Sequence, residues 1–465
     1  MNQRTVLAGG RVIDPANRVD AIHDVEIEDG RITAVGPALT TAGTARVIDV
    51  TGRVVMPGII DTHAHISGIG LEGRNGHRMM ARVGVTTALD LSGEAGELMN
   101  GIEAVGAGLN VAFLRAVLPG RTVSGPDPGA AEVERFIAAS LRDGAIGVKC
   151  LGGHYPMTPG CLNRTIAAAH RGGAYVAVHA GSTEHGSDIE GLEEVVRVAD
   201  GLPVHIAHIN SYCRGQVTDP LAECQRALAS LRAAPGARSE SYLSSLNGTS
   251  GSCEDGLPVS RVTRTCLRMG GFDATEAGLS AAIFAGWANV WTTAGGETKL
   301  LCGESGERAW REAGTNAGLS FAVNSPGAAI ALAVAKEADG RFSIDALSTD
   351  GGGIPRNTIV EQGLPLVRFG ALTLEEFVRK ASANGAVMIG CHSKGHLGSG
   401  ADADVTVLDL ESGRAVLSMA GGLVIMVDGV PVGSGGTVLT TQDGRSSLQQ
   451  RLASGRPDIA VRVLE

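Results

Sequence analysis

Met56-Pro-Gly-Ile-Ile-Asp-Thr-His-Ala-His65 decides the reading of this chain. A Pro-Gly turn launches an apolar strand that ends in two histidines one residue apart. Strand side chains alternate between faces, so His63 and His65 point the same way. Two imidazoles converging at the end of a buried strand form half of a metal site. An isolated His-x-His is more often a polar strand end leaving for solvent. Here the apolar run before it and the partners found downstream reverse that reading.

Beyond this strand the middle of the chain alternates apolar runs with amphipathic stretches, the pattern of βα units around a parallel sheet. Strand candidates are Ile59–His65, Gly84–Leu91, Val111–Val117, Ala145–Leu151, Tyr175–Ala180, Pro203–Ile209, Ser239–Leu243 and Ile344–Thr349. Helical patterns lie at Ala130–Asp143, Ile189–Ala199, Pro220–Ala233 and Thr275–Trp287. Eight such units predict an α/β fold, a (β/α)8 TIM barrel over 57–394. A doubly wound open sheet is the rival, but no GxGxxG follows the first strand. The Ser-, Gly-, Asn- and Thr-rich Leu246–Pro258 reads as a long loop on the face where barrel active sites form.

The two ends differ from the middle. Residues 5–55 read as short strands, with a hairpin turning at Asp29-Gly30. Asp404-Val-Thr-Val-Leu-Asp and Val424-Ile-Met-Val-Asp-Gly-Val-Pro-Val repeat that character near the other end. Residues 1–56 and 395–465 are therefore predicted to form a small β-sandwich domain composed of both chain ends.

Composition narrows the function. The 465 residues favour two folding units. With 67 Gly and only 3% aromatics, the core must rest on Ala, Val, Ile and Leu among many tight loops. A net charge of −10 and the absence of a basic run argue against a nucleic-acid partner. The segment MNQRTVLAGGRVIDP lacks the layout of a secretory signal. The longest apolar stretches, near 325–335 and 416–427, are too short or too Gly-rich to span a bilayer. Eight cysteines without a CxxC read as reduced thiols, with Cys150 and Cys391 as small core residues. The expectation is a cytoplasmic protein acting on a small molecule, without a membrane partner.

If the barrel is right, polar residues at the C-terminal ends of its strands converge. Lys149 ends the fourth strand in Gly144-Ala-Ile-Gly-Val-Lys-Cys-Leu. A cation in an apolar strand is costly unless neutralised or put to use. An ammonium has no lone pair for a metal, but a carbamate formed with CO2 would bridge two cations as a carboxylate does. His179 closes the fifth strand and His208 the sixth, while His205, three residues earlier, is read as structural and facing the other way. Asp350 ends the eighth strand in Leu347-Ser-Thr-Asp-Gly-Gly-Gly. An aspartate before glycines is common in turns, but its place at a strand end suits a ligand and general base.

His63, His65, His179, His208, Lys149 and Asp350 together form a donor set for two divalent metal ions. Histidine-rich ligation favours Zn2+, though Mn2+, Co2+ or Fe2+ would also fit. Such a pair would hold a hydroxide at neutral pH and polarise a scissile carbonyl. Asp350 would take the proton and deliver it to a leaving nitrogen.

This pattern resembles the amidohydrolase superfamily over almost the whole chain. The resemblance rests on GGRVIDP…EDGRITAVG, VVMPGIIDTHAH, GVTTALD at 84–90, GVKC at 147–150, VHAG at 178–181, HIAHINS at 205–211, STDGGG at 348–353 and KGHLGSGADADVTVLD at 394–409. It implies a metal-bearing barrel with a composite β-sandwich. By resemblance, His63, His65 and Asp350 would hold the more buried ion and His179 and His208 the other, with a CO2-derived carbamate on Lys149 bridging. Family members are commonly homo-oligomers, dimers or tetramers. Lys149 points to the branch of dihydroorotases, hydantoinases, allantoinases and isoaspartyl dipeptidases. Adenosine- and cytosine-deaminase-like members use one metal and no lysine bridge. GVKC and the Ser-x-Asp-Gly strand end are most like isoaspartyl dipeptidases. Hydantoinases and dihydroorotases usually carry Asp-His where this chain has Asp350-Gly351, and N-acyl-D-amino-acid deacylases typically lack the bridging lysine. By analogy with a loop tyrosine of hydantoinases, Tyr155 is a candidate for stabilising an oxyanion, with His154 an equal one.

The resulting expectation is a hydrolase that opens a C–N amide bond, in a cyclic amide, imide or ureide or in an N-acyl or dipeptide-like amino acid. Arg214, Arg356 and Arg74, in loops after the sixth, eighth and first strands, are candidates to clamp a substrate carboxylate. The alternatives are a metal-dependent deaminase, a formyl-transfer-type subunit, or a non-catalytic scaffold of the same fold.

Overall fold

In the computed structural model, which describes residues 4–39, 45–67, 76–294, 297–452 and 455–464, the stretch Ile59–His65 is a strand buried at every position. Six more parallel strands follow it: Val85–Asp90, Asn110–Val117, Gly147–Leu151, Tyr175–His179, Val204–Ile206 and Ala237–Ser241. The eighth position is a single short segment that closes the ring. Ala346–Leu347 pairs with Glu240 and Ser241 of the seventh strand, and Gly351–Gly352 pairs with Ala64 and His65 of the first. The fold is the expected (β/α)8 barrel, and its closure places Asp350 between the two pairings.

The helices outside the barrel follow from their patterning. In Ile189–Ala199 the residues Ile189, Leu192, Val195 and Val198 recur at helical spacing and are buried against the sheet. Full burial of each such side chain stabilises by roughly 1.5–3 kcal/mol. Asp188 caps this helix, accepting the Glu190 and Gly191 N–H groups.

A second sheet is built from both ends of the chain. Val54–Pro57 joins them, pairing antiparallel with Val405–Asp409 on one side and parallel with Thr5–Asp14 on the other. The predicted hairpin turn is present: Asp29 and Gly30, at φ +49° and +76°, connect Val19–Glu28 to Arg31–Gly36. Leu7, Val12, Val25, Ile27, Val407 and Met419 form its core.

Two expectations are corrected. The stretch after Pro431 does not stay with this β-rich unit. Gly436–Thr440 pairs in parallel with Ile459–Val463 and runs beside Asn110 and Val111 of the third barrel strand. Between them, Gln442–Arg451 presses the buried Leu448 against Gly144, where any side chain would collide. Its strand pairing with Asn110 and Val111 and the packing of Leu448 on Gly144 hold this segment on the barrel.

The long loop expected at Leu246–Pro258 is instead the start of an inserted unit between the seventh and eighth strands. Asn247–Ser250, Gly318–Phe321, Ala288–Ala294 and Glu297–Leu301 form an antiparallel sheet. Three helices, Arg261–Met269, Glu276–Phe284 and Gly303–Glu312, cover it around Leu267, Leu279, Ile283, Trp310 and Phe321. Small polar residues misled the reading because their hydroxyls bond one another: the Thr249 hydroxyl lies 2.9 Å from that of Thr263 and 3.0 Å from that of Ser260. Among the described residues no helix is long and apolar enough to cross a membrane, and all eight cysteines are free.

Candidate metal centre

The imidazoles meet at the C-terminal mouth of the barrel. His63 and His65 leave the first strand with ring centroids 5.2 Å apart. The His63 ring stacks on His208 at 5.0 Å, and His208 lies edge-on to His179 at 4.5 Å. Asp350 Oδ1 is 2.9 Å from His65 Nε2 and 3.2 Å from His63 Nε2. Ligand atoms of His63, His208 and Asp350 all fall within 4.8 Å of one another. Three strand ends and the closing segment thus place five of the six expected donors side by side.

Their electrostatics favour ligation. Burial pushes His63 down to about 4 and holds His179 and His208 well below their ordinary value. Neutral imidazoles keep the lone pair that a cation needs. Burial works to raise the Asp350 carboxyl, but the Arg356 guanidinium and the imidazoles overcome it and hold the group well below the usual range. His208 and Asp350 also sit at φ +37° and +49°, backbone conformations that side-chain-bearing residues adopt only when their surroundings impose them.

Lys149 is fully buried in the same region, close enough to feel the charges of Glu240 and Asp350. Among the described residues its Nζ has no hydrogen-bond partner, nor has His208 Nδ1. Burial lowers the Lys149 ammonium to about 8. A buried polar atom without a partner is costly and rare, and a partly neutral amine is the form that reacts with CO2. Two orphaned nitrogens among neutral imidazoles and an ionised carboxylate fit a site for bound cations.

No protein-family model matches the chain. A dihydroorotase of Trichlorobacter lovleyi is 43% identical over 67 residues, a match spanning 14% of this chain and 16% of that relative. Among solved structures, D-aminoacylase, described with a binuclear metal centre, is 19% identical, covering 93% of this chain and 99% of its own with a TM-score of 0.65. A chain of the formyltransferase/hydrolase complex from Methylorubrum extorquens, in complex with methylofuran, is 18% identical and covers 100% of both chains at a TM-score of 0.65. The chain thus shares its fold with D-aminoacylase and a short stretch of sequence with dihydroorotases, and it spans only a small part of the length of those curated relatives. At such identities the solved structures establish the fold, and activity has to be argued from the site.

Around the mouth of the barrel, the loop candidates separate. His154 lies edge-on to His179 at 5.1 Å, whereas the Tyr155 ring sits under the Arg121 guanidinium at 5.3 Å. Arg356 is not free to clamp a substrate. It is buried; its Nη2 is 2.7 Å from Asp350 Oδ2, its Nε donates to the Asp350 carbonyl at 2.6 Å and its Nη1 to the Leu246 carbonyl at 2.7 Å. The short turn after the eighth strand folds its guanidinium back onto the ligand candidate. Arg214 is half-buried beside the cluster, and Arg74 lies outside the described residues.

Sequence reasoning missed Glu240 and misjudged His205. The Glu240 carboxylate is fully buried on the seventh strand. It accepts from His63 Nδ1 at 2.6 Å, from the His208 backbone N–H at 2.5 Å and from the Ser348 hydroxyl. It thereby fixes which His63 nitrogen faces Asp350 and ties four strands together. His205 turns inward, its Nδ1 3.0 Å from the Tyr175 hydroxyl and its Nε2 3.7 Å from Glu240. A carboxylate in the strand Ala-Arg-Ser-Glu-Ser was open to the argument that singled out Lys149, that a charge in a buried strand requires a partner.

Proposed function

We propose that this chain is a metal-dependent hydrolase of carbon–nitrogen amide bonds. The observation that carries this reading is the set of orphaned nitrogens, Lys149 Nζ and His208 Nδ1, within a cluster of neutral imidazoles around Asp350. His63, His65 and Asp350 would hold one divalent ion and His179 and His208 another, with the carbamate of Lys149 between them. Zn2+ is the ion best matched to this donor set. Bound there, the metal ions supply an acidified water and a Lewis acid for the amide carbonyl.

The remaining steps belong to side chains. Asp350 carries the proton, with Oδ1 among the imidazoles and Oδ2 held by Arg356 so that the group stays ionised. It is then a base when water attacks and an acid when the amine leaves. Arg356 orients that carboxylate, and Glu240 orients the His63 ring. His154, at the edge of the cluster, is placed to donate to a developing oxyanion.

The test is metal analysis of protein purified without chelator, followed by assays on hydantoins, dihydropyrimidines, N-acyl amino acids and β-aspartyl dipeptides. Ring opening or amine release by the metal-loaded protein, abolished by chelation, is the expected outcome. Metal-free protein that gains no activity with added Zn2+, Mn2+, Co2+ or Fe2+ overturns the reading. A second reading, hydrolysis of a formyl amide within a larger assembly, is supported by the full-length similarity to the chain of the formyltransferase/hydrolase complex.

A further inference from the structure

The chain enters and leaves the inserted unit through a narrow neck. Ser244, Ser245 and Leu246 lead out of the seventh barrel strand, and Asn324 brings the chain back after Gly318–Phe321. Asn324 is buried and bonds to all three outgoing residues. Its backbone N–H donates to the Ser245 carbonyl at 3.1 Å, and its Nδ2 donates to the Ser244 and Leu246 carbonyls, each at 3.1 Å. The same nitrogen lies 2.9 Å from the Tyr242 hydroxyl. Oδ1 accepts from Arg214 Nε at 2.7 Å, so both ends of the amide are engaged. A carboxylate of the same size would offer acceptors alone.

Two of these partners are shared with Arg356. Its Nη1 donates to the Leu246 carbonyl at 2.7 Å and lies 3.4 Å from the Tyr242 hydroxyl, with the guanidinium 4.9 Å from the centre of the Tyr242 ring. Another edge of the same guanidinium holds Asp350, through Nη2 on Oδ2 and Nε on the backbone carbonyl. The guanidinium is a rigid plane. A shift of the oxygens at one edge therefore turns the carboxylate held at the other. Closing the neck requires only the bonds to Ser244 and Ser245. The bonds to Leu246 and Tyr242 reach further, to the metal centre.

We infer that Asn324 is a positioning residue for the metal centre: by fixing the Leu246 carbonyl and the Tyr242 hydroxyl it sets the Arg356 guanidinium, and through it the Asp350 carboxylate. The inserted unit is thereby tied to the proton carrier by one amide side chain. This rests on the hydrolase reading above. Asn324 itself touches neither Asp350 nor any imidazole of the cluster, so its effect passes through Arg356.

The experiment is a double-mutant cycle on the full-length chain, with Zn2+ binding to the metal-free protein measured by calorimetry beside turnover of the metal-loaded protein. Asn324→Ala should weaken Zn2+ binding about 10-fold and lower kcat about as much. Arg356→Met should cost about 100-fold. Adding Asn324→Ala to Arg356→Met should then change Zn2+ affinity by less than about twofold, because the link is already cut. Tyr242→Phe removes one shared oxygen with little change in volume and guards against a folding defect in the alanine variant. It should weaken Zn2+ binding in the same direction, again without adding to Arg356→Met. Losses that multiply in the double variants, or an unchanged Zn2+ affinity in Asn324→Ala and Tyr242→Phe, reduce Asn324 to closing the neck and overturn the inference, with the hydrolase left standing. Coupled losses of Zn2+ affinity in a protein that turns over no amide keep the positioning role and overturn the hydrolase. Protein that takes up no Zn2+ overturns both.

Discussion

Two buried lysines in this molecule make opposite use of the same chemistry. Lys394 Nζ lies 2.6 Å from Asp404 Oδ2 and 2.9 Å from Asp402 Oδ2. Asp402 also pairs with Arg31 and Arg462, and Asp404 accepts from Asn110 and the Gly421 N–H. That network knots the two-ended sheet, the third barrel strand and the C-terminal strand, with the lysine's charge compensated. Lys149 is as deeply buried, and among the described residues its Nζ has no partner. Burial alone does not mark function. What separates the two regions is satisfaction: a closed network stabilises, and an open one is a place for something to bind.

The sharpest way to break this contrast is to remove each lysine in turn. Lys149→Ala should lower amide hydrolysis about a thousand-fold or more and reduce bound metal by about half. It should leave the urea stability of the metal-free protein equal or higher, because it deletes an unpaired buried amine. Near-normal turnover of that variant, without short carboxylic acids added to replace the carbamate, contradicts the bridge. Lys394→Ala should do the reverse. It strips Asp404 of its ion pair in the interior and leaves Asp402 to Arg31 and Arg462, and should cost about 3–5 kcal/mol of folding stability, while metal per folded molecule is unchanged. A loss below about 1 kcal/mol would mean that the network is not what joins the units.

A finer comparison lies inside the metal centre, between residues proposed to touch the ions and the one that aims them. Glu240→Gln keeps an acceptor for His63 Nδ1 but loses the charge and one of its acceptor oxygens. Metal affinity or kcat should drop roughly 10- to 100-fold, less than for Lys149→Ala. An unchanged metal dissociation constant and rate would reduce Glu240 to a packing role.

The same distinction explains what could be read from the chain before folding. Barrel strands were legible because each is an apolar run, and strand-end residues such as His63, His65, His179, His208 and Asp350 announce themselves by breaking it. Lys149 was legible as a charge without local compensation. Three features were not. Glu240 reaches His63 and Ser348 more than a hundred residues away, contacts that only closure of the ring makes, and Arg356 meets Asp350 only once the turn between them folds back. The strands of the inserted unit are short and polar, so they lack the apolar alternation by which strands are recognised. The return of Gly436–Thr440 to the barrel depends on a groove at Asn110 and Gly144 that exists only in three dimensions.

A third buried lysine offers the smallest and most graded test. Lys380 Nζ has neither the carboxylates of Lys394 nor the isolation of Lys149: it donates to the Ile344 carbonyl at 2.6 Å and lies 4.3 Å from the centre of the Phe342 ring. Burial pushes its ammonium from the ordinary 10.5 down to about 7. Between those values the unfolded chain holds a proton that the folded one has released, so this group makes stability rise with pH from 7 towards 10.5. Below pH 7 both states are protonated and the full cost of the buried charge is present. Each pH unit inside the window contributes about 1.4 kcal/mol. Lys380→Met should therefore flatten the pH dependence of the urea midpoint between pH 7 and 9 relative to wild type. It should help most at pH 7, where the deleted charge is most unfavourable, offset by the Ile344 carbonyl it leaves unpaired. Parallel profiles for the two proteins would show that the carbonyl and the ring already satisfy the ammonium, placing Lys380 with Lys394 rather than between the two.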